Sequence, residues 1–438
     1  MLLPDYVNQC AERLESAGFA AYAVGGCVRD ACLGILPQDY DLCTAALPEQ
    51  MEAIFADHTL VLAGKKHGTV GVVTEGGVVE ITTFRTEGEY RDSRHPDWVA
   101  FVPEVETDLA RRDFTVNAMA FSPIRGFVDP FGGREDLKSG ILRAVGDPYQ
   151  RFSEDALRIL RGVRFAARYR LNVEADTGRA MLALASGLEK IAPERIFDEL
   201  CKLLPLVTAE DLLRFAPILG VVIPELKPTF GFDQRNPHHA YDLFRHIAHV
   251  TAAVPPELPL RWAALLHDIG KPGTCTLDEQ GIAHYYGHAK RGVEMADAVL
   301  RRLKAPTLLR EQVMLLIEQH MTYPEPDKKW LRRRLSRLGP EMLEQLLLLQ
   351  EADTGSKGIT KPREMDYFQQ IRKILGEIFA ENACLSLKDL QVNGHDLMAL
   401  GLSGREIGKC LNRLLEMVMD EQIPNEKTAL LTGASMMR

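Results

Sequence analysis

Along residues 1–140, short apolar runs alternate with polar breaks at the two-residue period of half-buried strands. The runs are Ala20–Val24, Asp39–Cys43, Leu60–Ala63, Thr69–Thr74 and Val78–Phe84, several of them bounded by glycine. Helical spacing separates the first few, so this stretch predicts an α+β domain on one mixed sheet. From about residue 150 the apolar period lengthens to that of packed helices, as in Asp155–Arg170, Pro193–Leu204 and Ala209–Leu219. Pro224–Pro237 breaks the pattern and marks a boundary. A helical block then runs from Tyr241 to Asp353, Gly355–Pro362 breaks it, and a last helical region follows. Four segments result: 1–140, 141–225, 226–360 and 361–438.

Composition narrows the class. The chain has 438 residues, 46% hydrophobic and 26% charged, as a globular protein does. No apolar run reaches the ~18 residues a membrane span needs. The first residues, MLLPDYVNQCAERLESAG, carry acids and read as an amphipathic helix, not a signal peptide. Eight cysteines without a CxxC pair argue for reduced thiols in a cytoplasm and against a zinc ribbon or disulfide frame. A net charge of −9 argues against general coating of nucleic acid, so such contacts must come from local basic patches.

The chemistry concentrates in the strand-rich part. Gly25-Gly26-Cys27-Val28-Arg29-Asp30 is followed by Asp39-Tyr40-Asp41. Glycines let a triphosphate approach the backbone, and residues i and i+2 of a strand share a face, so Asp39 and Asp41 are expected side by side. Two such carboxylates repel unless a cation lies between them, and hard oxygen donors suit Mg²⁺. A glycine pair alone is commonly a plain turn, and two solvated acids on an edge strand look the same as a metal pair. No GxxxxGK[ST] loop is present. Arg111-Arg112-Asp113-Phe114-Thr115-Val116-Asn117 adds arginine forks for phosphate and an Asp and Asn for ribose hydroxyls. Glu154-Asp155-x-x-Arg158 opens a predicted helix capped by Ser153, so Glu154 and Arg158 share a face. That pair is either a surface ion pair or, with Asp155, a reader of a base edge.

GGCVRD, DYD, RRDFTVNAMA and EDALRILRGVRFAA, in that order, resemble the class II nucleotidyltransferases: CCA-adding tRNA nucleotidyltransferases and their poly(A) polymerase relatives. The resemblance implies a polymerase-β-like head (1–140), a helical neck that selects the nucleotide (141–225), a helical body (226–360) and a tRNA-binding tail (361–438). It implies that Asp39 and Asp41 bind the catalytic metals, with Glu80 as candidate third carboxylate. Gly25, Gly26, Arg29, Arg112, Asp113 and Asn117 would meet ribose and phosphates. Asp155 and Arg158, beside Glu154, would pair with CTP or ATP in place of a template, with Arg161 and Arg164 supporting the pocket. The charged stretch Arg85–Trp98 favours full CCA addition over CC addition, since members that add only CC lack a loop there. CC-only or A-only addition, or an inactive head beside another activity, are the alternatives.

Two features lie outside these motifs. Arg151–Arg170 contains six arginines and two acids and is either a solvated helix face or, as the resemblance implies, a support of the nucleotide pocket; Arg301–Arg337 has ten Lys/Arg against four Asp/Glu and is either a solvated helix or an RNA contact. His246, His267-Asp268, His288, His320 and Asp353 follow along helices, and their donors suit Mn²⁺, Fe²⁺, Co²⁺, Ni²⁺ or Zn²⁺. His267-Asp268-Ile269-Gly270-Lys271 resembles the HD phosphohydrolase motif, which implies a metal site and a phosphomonoesterase or cyclic phosphodiesterase activity; a plain RNA-binding scaffold is the alternative. His238, His239 and His249 read as ordinary surface or packing residues. The segment from Val392 to Asn425 resembles the tail of Gram-positive CCA enzymes.

Overall fold

The computed structural model describes residues 2–87, 99–236, 240–358, 362–381 and 383–437. The chain divides into two compact units, Met1–Pro224 with Arg302–Lys304, and Glu225–Arg301 with Ala305–Arg438.

In the first unit, α1 (Asp5–Ser16), β1 (Ala21–Val24), α2 (Gly26–Cys32), β2 (Asp41–Thr44), α3 (Pro48–Ile54), β3 (Leu60–Val61), β4 (Thr69–Thr74) and β5 (Gly77–Thr83) come first. The hairpin β6 (Arg85–Glu87) and β7 (Val99–Phe101), α4 (Val105–Ala110), β8 (Ala120–Ser122), β9 (Gly126–Val128) and α5 (Gly133–Lys138) follow. Seven strands form one sheet in the order β3-β4-β5-β2-β1-β8-β9. Only β2 and β5 run parallel within it, and that pairing sets Asp41 directly beside Glu80. Every residue of β1 is buried, as a central strand covered on both faces requires. Tyr22, Val24, Phe84 and Leu109 pack one side of the sheet.

Next come β10 (Ile141–Leu142), α6 (Pro148–Glu154), α7 (Leu157–Tyr169), β11 (Asn172–Val173), α8 (Ala175–Ala183), α9 (Pro193–Leu203), α10 (Ala209–Arg214) and α11 (Ala216–Val222). The expected helix Asp155–Arg170 with Ser153 as its cap needs correction. Ser153 lies inside α6 and donates to the Tyr149 carbonyl, and the break falls at Asp155, whose φ of −143° and ψ of 102° are extended. Asp155 Oδ1 accepts from the amide of Leu157, the first residue of α7, from one position ahead of the Ala156 N-cap. The predicted Ala209–Leu219 helix is likewise two, parted at Phe215 just ahead of Pro217.

The second unit holds α12 (Leu243–Ala253), α13 (Leu258–Leu266), the hairpin β12 (Thr276–Leu277) and β13 (Ala283–His284), α14 (His288–Arg302), α15 (Thr307–Gln319), α16 (Lys328–Leu338) and α17 (Pro340–Gly355). It ends in α18 (Pro362–Ala380), α19 (Gly394–Ala399), α20 (Arg405–Met419) and α21 (Lys427–Met436). The arginines of α16 divide between buried and exposed positions, and several are paired. Arg332 is buried and binds Glu381 and Glu421, and Arg333 binds Asp420. Arg334 donates to Gln319 and lies over the Trp330 ring. Their charge is largely neutralised by acids that follow α18 and α20.

Candidate functional site

β1 ends at Val24, and the chain turns into α2 through Gly25, whose φ of 73° and ψ of −122° suit only glycine. A Cβ there would meet the Arg112 guanidinium at 3.0 Å, so the glycine also makes room for that arginine. Beside this turn opens a cavity of about 460 Å³. Gly25, Gly26, Arg29, Asp41, Arg112, Asp113 and Asn117 line it from the sheet side, and Asp155, Arg158, Arg161, Arg164 and Arg195 from the helices.

Asp41 opens β2 and is exposed, whereas Asp39 precedes the strand and does not belong to it. In place of the expected i, i+2 pairing on one strand face there is a cross-strand pair, Asp41 with Glu80, while Asp39 lies in the exposed loop before the strand. Desolvation raises the Asp41 carboxyl above its ordinary range, Glu80 and Asp39 push it further, and Arg112 opposes them. An acid crowded in this way is stabilised by a cation, and carboxylate oxygens suit a divalent one, although Asp39, Asp41 and Glu80 do not converge into a preformed group as the second unit's His and Asp residues do.

The arginines are fixed by buried acids. Asp113 accepts from Asn117 and the Phe114 amide on Oδ1, and from Arg161 on Oδ2. Burial works against its charge, but Arg161 and Asn117 hold it down to about 2. Arg29, itself buried, donates to Asn117, Asp30 and the Tyr169 hydroxyl, and its guanidinium lies 4.4 Å from the centre of the Tyr169 ring. Arg164 binds the buried Glu199 at 2.7 Å. Arg161, Arg164 and Arg168 of α7 all face the cavity, so that arginine stripe is a pocket wall.

The Glu154–Arg158 contact is present at 2.7 Å, and Arg158 also donates to the carbonyls of Arg151 and Arg111. Asp155 Oδ2 accepts from Arg195 at 2.8 Å. Arg195 and Tyr169 stand outside the motifs of the sequence. Their partners lie 40, 139 or 140 residues away, which no local motif signals.

The second unit gathers the six His and Asp residues expected of it. His267 caps the C-terminus of α13, His320 that of α15, and His288 begins α14. Each points Nδ1 at a carbonyl three residues earlier: Ala264 at 2.8 Å, Ile317 at 2.6 Å and Tyr285 at 2.7 Å. His246 Nδ1 faces the Ser356 carbonyl at 3.3 Å. With Nδ1 donating to a carbonyl in each ring, all four turn Nε2 toward Asp268 or Asp353. His267 Nε2 stands 3.2 Å from Asp268 Oδ2 without the geometry of a hydrogen bond. Asp268 lies 3.4 Å from His288 Nε2, and Asp353 3.0 Å from His246 Nε2.

Two three-ligand groups, His246–His267–Asp268 and Asp268–His288–His320, share Asp268. Burial opposes the Asp268 charge, but the histidines and Lys271, 2.6 Å away, keep it well below its ordinary range. His320 is pushed down to about 4, by burial first and by His267 next. Gly270 lets α13 and α14 close up, since a Cβ there would fall 2.4 Å from the His288 carbonyl. Imidazole and carboxylate donors locked in this way fit a metal. His249 stacks on Tyr241, while His238, His239 and residues 88–98 of the Arg85–Trp98 stretch lie outside the described residues.

Comparison with known proteins bears on both units. Residues 21–143 match the family model described as the poly A polymerase head domain, and 170–229 the probable RNA and SrmB-binding site of polymerase A. Residues 276–434 match a putative tRNA nucleotidyltransferase domain 2. The CCA-adding enzyme of Leuconostoc mesenteroides is 50% identical over 192 residues, 44% of this chain and 47% of that protein. The chain thus spans about half the length of the first curated relatives it matches, 47%, 56% and 48%. The match to the CCA-adding enzyme of Lactiplantibacillus plantarum is longer, 31% identical over 97% of this chain and 94% of that protein. In structure, the Bacillus stearothermophilus CCA-adding enzyme in complex with CTP aligns over 100% of this chain and 98% of its own, at 29% identity and a TM-score of 0.74. No helix among the described residues is long and apolar enough to cross a membrane.

Proposed function

The chain belongs to the CCA-adding enzyme family of nucleotidyltransferases, and from that premise we propose that it adds CCA to tRNA 3′ ends from CTP and ATP without a nucleic-acid template. One observation carries the reading: a single cavity is lined both by Asp41 and by Asp155 and Arg158. The acidic end suits bond making, and the other end suits base selection.

Asp39, Asp41 and Glu80 would hold Mg²⁺, which supplies activation of the attacking oxygen and charge stabilisation at the leaving phosphate. The remaining work is positioning and electrostatics. Gly25 and Gly26 admit the triphosphate to the backbone, and Arg112, above Gly25, offers its fork to phosphate oxygens. Asp113, Asn117 and Arg29 form the ribose-facing floor. Asp155, steadied by Arg195, and Arg158, steadied by Glu154, present an acceptor and donors to a base edge. The reacting step is attack of the tRNA 3′-hydroxyl on the α-phosphate with loss of pyrophosphate.

The four-part division into head, neck, body and tail belongs to this reading, with the tail from Val392 to Asn425 meeting tRNA. Eight free cysteines support a reducing cytoplasm. The body is a second metal-dependent site: the inward Nε2 atoms around Asp268 would hold a transition metal, which supplies a nucleophilic water for phosphoester cleavage. Metal analysis of chelator-treated protein with and without His267→Ala tests it.

A tRNA lacking its 3′ end, supplied with CTP, ATP or both, tests the main activity. Incorporation of C from CTP alone and of A only with both is expected. CTP-only incorporation would move the assignment to CC addition, and no incorporation would end it.

A further inference from the structure

Asp108 on α4 is fully buried, yet it carries a charge and touches two arginines of the cavity wall. Its Oδ1 accepts from Arg111 Nη2 at 2.8 Å and Nε at 3.1 Å. Its Oδ2 accepts from Arg112 Nη2 at 3.1 Å. The amide of Arg85, the first residue of β6, lies 3.3 Å from Oδ1, and Arg111 Nε also donates to the Arg85 carbonyl. Burial opposes the charge of Asp108, but Arg111 and Arg112 hold its carboxyl below the ordinary range. A desolvated carboxylate with both oxygens engaged is rigid, and it makes its partners rigid.

Arg112 has one more trait. Its Nε is buried without a hydrogen-bond partner, so the guanidinium is held at Nη2 by Asp108 and faces the Gly25 turn through Nη1. Two arginines side by side repel. The carboxylate between them offsets that repulsion, and a ligand that meets two adjacent guanidinium forks is polyanionic.

We propose that Asp108 is the positioning residue for the triphosphate of the incoming nucleotide: it holds Arg111 and Arg112 together and aims them at the phosphates, without touching the ligand itself. The proposal rests on the nucleotidyl-transfer reading above. It separates two tasks within one cavity, since Asp108 acts on what ATP and CTP share, the polyphosphate, and not on the base.

The experiment compares full-length wild type, Asp108→Asn and Asp108→Glu. It measures KM and kcat for CTP and ATP on tRNA lacking its 3′ end, and direct binding of CTP, CMP and inorganic tripolyphosphate. Asp108→Asn is expected to raise KM for CTP and ATP by the same factor, about 10-fold, the size of a charged hydrogen bond lost. Tripolyphosphate binding should weaken by that factor, with CMP binding and KM for tRNA unchanged. Asp108→Glu keeps the buried charge and should lie between the two, so it carries the test if the asparagine variant does not fold. A purely structural role would instead lower kcat and the melting temperature with all nucleotide affinities unmoved, and that result overturns the proposal. Equal loss of CMP and tripolyphosphate binding also overturns it. Wild type that binds no CTP would remove the nucleotidyl-transfer reading and this inference together. Wild type that adds C and A while neither variant changes the tripolyphosphate-to-CMP ratio removes this inference alone.

Discussion

Asp41 and Asp268 are both acids crowded by other ligand-type side chains, yet the two centres are built on different plans. Asp41 stands exposed at the first position of a strand, its neighbours Glu80 and Asp39 carry the same sign, and no imidazole belongs to the group. Asp268 is fully buried and faces four histidines whose Nδ1 atoms are pinned to backbone carbonyls. The first arrangement leaves ligand positions open, as a metal shared with substrate phosphates requires. The second is preassembled and has Lys271 at hand as a counter-charge. Open centres depend on the substrate for completion, and closed ones on the fold.

The largest effect that can break this contrast is catalytic. Asp41→Ala should lower addition of both C and A by roughly 10³-fold or more. Because Asp41 is exposed, its melting temperature should hardly move. Near-normal addition by this variant would show that the open centre is not the reacting one.

In the body the balance reverses. Asp268→Ala leaves Lys271 buried without its nearest carboxylate, which costs about 3–5 kcal/mol in comparable buried pairs. Calorimetry should show a large fall in melting temperature, and elemental analysis a loss of bound metal, while C and A addition at low temperature persists. Unchanged metal content and stability would place the body with ordinary packed helices.

A smaller effect separates buried acids of the head from its exposed ones. Asp113 is held down to about 2 against an ordinary value of 3.8. The folded carboxyl resists protonation more than the unfolded one, so its contribution is fully present above pH 3.8 and is lost as pH falls through about 2. The shift corresponds to roughly 2 kcal/mol. Asp113→Asn should be less stable by about that amount at pH 7, and the gap to wild type should close between pH 4 and pH 2 in acid unfolding curves. A gap that stays constant through that window would mean the Arg161 pair is not what holds α7 to the Asp113 segment.

How much of this was legible in the chain follows from the range of each interaction. The strand cores of the sheet and the helices Pro193–Leu203 and Leu157–Tyr169 came from apolar period, which is a local property. The strand β8, three residues long, gives too short a run to register. Asp39 was placed on a strand because alternation continues through Tyr40, yet pairing with β5 begins only at Asp41. Motif order located nearly every cavity residue. It missed Asp108 and Arg195, whose importance lies in what they hold and not in their neighbours along the chain. The six His and Asp residues of the second unit stand out because each is a ligand type, but the backbone carbonyls that orient the histidines are invisible to sequence. Arg332 and Arg333 find acidic partners 49 to 89 residues later, at a range that no local pattern shows.

Arg158 sharpens the contrast furthest, because it sits in the open centre but is itself closed in. Its side chain is 9% exposed, and three bonds, to Glu154 and to the carbonyls of Arg151 and Arg111, fix its plane. Nε takes no part in them. A guanidinium fixed in this way cannot follow one base and then the other by free rotation; its donors stand at set positions, and discrimination comes from which base edge meets them. Arg158→Ala should therefore blur the choice between CTP and ATP by roughly 10-fold, the value of one well-placed fork on a base edge. Its effect on the rate with the correct nucleotide should be smaller than that of Asp41→Ala. Asp155 remains in place through Arg195, so some selection should survive. The measurement is the ratio of kcat/KM for CTP and ATP at each of the three additions. If the ratio stays at the wild-type value while the rate collapses, Arg158 serves the phosphates, and the division of the cavity into a reacting end and a reading end fails.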